Sequence, residues 1–76
     1  MTHKARIYLG WASQPDGSWL SADGRHRGVK LSNCYWALQR RRHKAGYTDP
    51  WWQLVARRTS LKGCIELSDR IMKEQP

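Results

Sequence analysis

Two Asp-Gly dipeptides, Asp16-Gly17 and Asp23-Gly24, stand so close together that only Ser18-Trp19-Leu20-Ser21-Ala22 fits between them. Asp bonds readily to its own backbone and Gly takes a positive φ without steric cost, so each pair favours a tight reversal. Pro15, just ahead of the first pair, fixes φ for the same turn. The runs on either side alternate. In Lys4 to Ser13, Ala5, Ile7, Leu9 and Trp11 face one way, and Arg6, Tyr8, Gly10 and Ala12 the other. In His26 to Leu31, Val29 and Leu31 oppose Gly28 and Lys30. Alternating runs joined by Asp-Gly turns predict a three-stranded antiparallel meander from about Lys4 to Leu31.

From Ser32 the pattern reads as helical. The stretch S-N-C-Y-W-A-L-Q-R-R-R-H-K-A-G offers Ser32 or Asn33 as an N-cap and Gly46 as a C-terminal stop. At about 100° per residue, Cys34, Ala37 and Leu38 share one arc, while Trp36, Arg40 and His43 fall opposite with Lys44 beside them. Asp49-Pro50 has the form of a second helix start. Pro50 to Arg58, carrying Trp51, Trp52, Leu54, Val55 and Ala56, then reads as a short and deeply buried helix. Thr59 or Ser60 breaks it, and Leu61 to Lys73 is cleanly amphipathic. The expected fold is therefore α+β: an N-terminal three-stranded antiparallel meander followed by three short helices, at about Asn33–Ala45, Pro50–Arg58 and Leu61–Lys73. Residues 1–76 make one small basic domain. Its expected core combines Ile7, Leu9, Trp11, Val29, Leu31, Leu38, Trp52, Val55, Leu61, Ile65 and Met72.

Charge bounds the function. Fourteen Lys and Arg against six Asp and Glu give a formal charge of +8 and, for the sequence, a pI near 10.2. No acid occurs between Gly24 and Thr48, where seven of the Lys and Arg lie. Self-repulsion on that scale points to an acidic partner, and nucleic acid is the commonest. A membrane surface fits less well, because no helix combines a basic face with a long apolar one. Asp16, Asp23 and Asp49 are used in turns and a cap, and Glu66 and Asp69 fall at ion-pair spacing on the last helix. That leaves Glu74 alone for acid–base work, and no phosphate-loop, dinucleotide or zinc-protease motif occurs. An enzyme is not expected, nor a cofactor. Cys34 and Cys64 read as small core residues, and neither they nor His3, His26 and His43 recur at metal-ligand spacing. Without a secretory leader at Met1 or a long apolar run, a cytoplasmic location is expected.

The expected nucleic-acid-binding set follows from these placements. Arg6 and Tyr8 on the first strand and Lys30 on the third would share a sheet face. Arg25 and Arg27 would reach phosphates from the second turn. Arg40, Arg41, Arg42, His43 and Lys44 would clamp phosphates at a helix end, with Trp36 as a wedge or stacking group. Such contacts position more than they specify, and duplex DNA is the favoured target. The function expected is that of a small regulatory or accessory DNA-binding protein. The alternative is a phage-type inhibitor or adaptor that holds an acidic host protein through Trp and Arg, the residue types that dominate protein hot spots. The tryptophans discriminate between the two: a cluster exposed on the surface would favour the protein partner.

Overall fold

The computed structural model describes residues 4–43, 45–46 and 49–74. Both Asp-Gly pairs reverse the chain, with Gly17 at φ 91° and Gly24 at φ 72°. Asp16 Oδ1 accepts the Ser18 backbone N–H at 2.9 Å and the Ser18 hydroxyl at 2.6 Å. Asp23 Oδ1 accepts the Ser21 hydroxyl at 2.7 Å and the Arg25 N–H at 3.0 Å. Each aspartate thus satisfies the donors its own turn strands.

Among the described residues seven elements follow in order: β1 (Ile7–Tyr8), β2 (Trp11–Ser13), β3 (Trp19–Leu20), β4 (His26–Ser32), β5 (Tyr35–Arg42), β6 (Trp51–Arg58) and α1 (Leu61–Glu74). All six strands form one antiparallel meander in sequence order. The three-stranded meander followed by three short helices is therefore incorrect in three places. The run from Lys4 to Ser13 is a hairpin, because Leu9 and Gly10 both take positive φ (50° and 85°), the signature of a two-residue primed turn. The segments expected as helices at Asn33–Ala45 and Pro50–Arg58 are β5 and β6. Asn33 and Cys34 turn the β4–β5 hairpin and cap nothing, and the ladder slips between Lys30 and Ser32 to accommodate that turn. Pro50 leads into an edge strand, a position that needs no N–H donor. Of the expected helices only the last is present: Ser60 Oγ accepts the Gly63 N–H at 3.1 Å and so caps α1.

The helix lies across β4, β5 and β6. Facing residues of neighbouring strands project to the same side of a sheet. The row Trp19–Gly28–Leu38–Ala56 therefore shares the covered side. Gly28 gives Leu61 room there: a Cβ at that position would lie 2.7 Å from Leu61 Cδ1, so that side chain would have to shift. Trp11, Leu38, Cys64 and Ile65 form the buried centre, with Trp19, Trp36, Leu61, Leu67 and Ile71 packed around it. Several expected core residues lie outside it, with Ile7, Leu9, Leu31 and Val55 all exposed. Cys64 is buried as expected, whereas Cys34 sits exposed in its turn. No helix among the described residues is long and apolar enough to cross a membrane.

Candidate nucleic-acid interface

The sheet has one covered side and one bare side. A single row on the bare side crosses every strand: Ile7, Ala12, Leu20, Arg27, Gln39 and Leu54. Beside it run Val29–Ala37–Arg57 and the pair Arg41–Trp52. One extra residue in β6, Val55, shifts the register between Leu38 and Gln39 and sets which β6 side chains reach this side. At the centre, Arg27 reaches across β5 until its Cζ lies 4.4 Å from the Trp52 ring centroid. Its Nε donates to Gln39 Oε1 at 2.5 Å, which fixes the plane of the guanidinium. Arg41 reaches the other way, with Nη1 3.6 Å from where a Gly24 Cβ would stand. Its backbone N–H donates to the Arg25 carbonyl at 2.8 Å, tying β5 to the β3–β4 turn. Arg57 is exposed on the same side.

A trough between this array and the first Asp-Gly turn is lined by Pro15, Asp16, Leu20, Arg27 and Trp52. The Ser18 hydroxyl and N–H hold the Asp16 carboxyl below its ordinary range, so it is an acceptor at neutral pH. In Asp23 burial works the other way, but the Arg25 N–H and Ser21 hydroxyl outweigh it and leave the carboxyl lowered.

The cationic segment is split by its strand geometry. Arg41 projects to the bare side, while Arg40 and Arg42 take the covered side, opposite Gln53 and Trp51 respectively. Arg42 Nε donates to Gln53 Oε1 at 2.8 Å. His43 is exposed just beyond β5, and Lys44 lies outside the described residues. Among the described residues no helix end gathers these cations. Trp36 packs against the core and is no free wedge. Lys30 pairs with Trp36 on the covered side and Tyr8 packs edge-on to Trp19 with centroids 6.4 Å apart, so neither joins Arg27. Arg6 is exposed before β1, with its N–H bonded to Ser13 Oγ at 2.8 Å. Arg25 is exposed at the second turn.

A helical period for β5 and β6 hides the grouping of Trp52, Gln39 and Arg57 with Arg27 on one side of the sheet. A period-2 reading of Tyr35 to Arg42 separates Ala37, Gln39 and Arg41 from Trp36, Leu38 and Arg40, which is the partition the sheet uses. Compared with family models, curated proteins and solved structures, the chain matches none of them.

Proposed function

We propose that this chain is a small non-catalytic nucleic-acid-binding protein, regulatory or accessory in role, that lays an unpaired strand across the bare side of its sheet. The observation that carries the reading is the stack of Trp52 and Arg27, pinned by Gln39 and flanked by Arg41 and Arg57. Fixed planar groups between cations suit bases that stack and phosphates that pair. The charge of +8 supplies the long-range attraction.

An unpaired strand fits this surface better than the duplex favoured from sequence. Six strands at about 4.8 Å spacing span roughly 24 Å. A major groove is about 12 Å wide, so the sheet cannot enter it broadside. The trough beside Trp52 also carries Asp16, which repels phosphate and accepts hydrogen bonds from base amino groups. The protein-partner reading gains less support. Trp51 and Trp52 project to opposite sides, and Trp11, Trp19 and Trp36 pack into the core, so no tryptophan cluster is exposed.

Trp52→Ala should weaken binding to an unstructured single-stranded oligonucleotide by about 1–3 kcal/mol, the range for one base–aromatic stack. Fluorescence anisotropy measures the affinity, and a melting curve checks that the variant is folded. Unchanged affinity in a folded variant, or a preference for duplex over single strand, would overturn the reading.

A further inference from the structure

The covered side of the sheet holds a second constellation that single-strand binding does not use. His26, Arg40 and Gln53 face one another in one row across β4, β5 and β6. Together with Arg42, Val55 and Ile71 they line a cleft of about 330 Å³ where α1 leaves the sheet uncovered. That volume is at the small end of ligand sites, which run from about 300 Å³ upward. Among the described residues no carboxylate lines it. The Arg42–Gln53 hydrogen bond holds one guanidinium in place at the rim.

His26 is the independent sign of a ligand. It is only 1% exposed; Nδ1 shares a 3.1 Å hydrogen bond with the Ser68 hydroxyl from α1, and Nε2 is buried with no partner. Buried polar atoms are nearly always satisfied, so an orphaned ring nitrogen beside two arginines calls for an explanation. In the tautomer where Ser68 donates to Nδ1, Nε2 carries the ring proton and is a donor. Two guanidinium forks, the Gln53 amide and an imidazole N–H then make a set composed mainly of donors. We infer that this cleft binds a phosphoryl oxyanion, with Arg40 and Arg42 as its charge partners and Gln53 and His26 completing its hydrogen bonds. Arg forks match the oxygen spacing of phosphate, and a lining of mostly donors, with no carboxylate among the described residues, selects for an anion. The site stands on the opposite side of the sheet from Trp52 and Arg27, so either can fail without the other.

NMR of the full chain tests it, following the His26 ring and Arg42 Nε signals during titration with inorganic phosphate at constant ionic strength and neutral pH, against a chloride control. Saturable shifts at both residues are expected, and Arg42→Ala should weaken the affinity by at least about tenfold. Lys62→Ala, exposed on α1 and outside the cleft lining, should leave it unchanged. Arg42 is exposed, so its variant should fold; Gln53→Ala is the second variant and should weaken binding in the same direction. Adenosine monophosphate and dimethyl phosphate separate the sources. Saturation by the monoester alone assigns the site to a small phosphorylated ligand or a strand end, and saturation by both assigns it to backbone phosphate. Shifts no larger than those from chloride, or full affinity retained in both Arg42→Ala and Gln53→Ala, would overturn the inference.

Discussion

Leu9 holds a φ of 50° in a turn where its side chain is 60% exposed. A left-handed conformation costs a non-glycine residue about 1–2 kcal/mol, and Asn tolerates it better. Leu9→Asn should therefore stabilise the chain by about 0.5–1 kcal/mol, read as a shift in the urea midpoint without a change in slope. His26 makes a second prediction at this scale. Burial pushes its pKa below the ordinary value, the charges of Arg40 and Arg25 push the same way, and Asp23 opposes them. Between the lowered folded pKa and the unfolded value near 6.5, the unfolded chain binds more protons. Its contribution is thus fully present above about pH 6.5 and is lost as pH falls through the folded pKa. Urea midpoints should drop from neutral pH toward pH 5, and His26→Gln should flatten that drop. Neither feature was legible in the sequence. Leu9 read as one member of an alternating strand, and His26 as one of three histidines without a motif, because both depend on partners supplied by other segments.

At the scale of elements, β5 shows why half of the fold was legible. Ala37, Leu38, Gln39 and the three arginines are good helix formers, and Ser32-Asn33 ahead of them imitates a cap. In the folded chain β5 is paired on both sides, with β4 and with β6, and tertiary pairing overrides a propensity worth a few tenths of a kcal/mol per residue. The Asp-Gly turns and α1 were legible because their signals are local: a side chain bonding its own turn, and an apolar stripe repeating every three to four residues. Leu38 is the residue on which the packing of β5 against α1 depends, at 0% exposure and in contact with both layers. Leu38→Ala should cost about 2–5 kcal/mol, a large share of what so small a domain has. Chemical denaturation measures it. A loss below about 1 kcal/mol would mean that the helix does not close on β5 as described.

For the whole molecule, the charge pattern was legible as a property and illegible as a surface. The acid-free stretch from Gly24 to Thr48 is plain in the sequence, but whether its cations act together depends on strand parity. Folding sends Arg27, Arg41 and Arg57 to the bare side and Arg40 and Arg42 to the other. The bare side is the proposed binding surface. Its most direct test is the salt dependence of affinity for an unstructured single-stranded oligonucleotide, in the native chain and in the Arg27→Ala/Arg41→Ala/Arg57→Ala variant. Neutralising Z phosphates on a single strand gives a slope of about −0.7Z in log K against log[salt], so the three arginines account for a slope of about −2. The triple variant should lose about that much slope while it remains folded. A folded triple variant with the affinity and slope of the native chain, or a native chain with no measurable binding at about 50 mM salt, would contradict it.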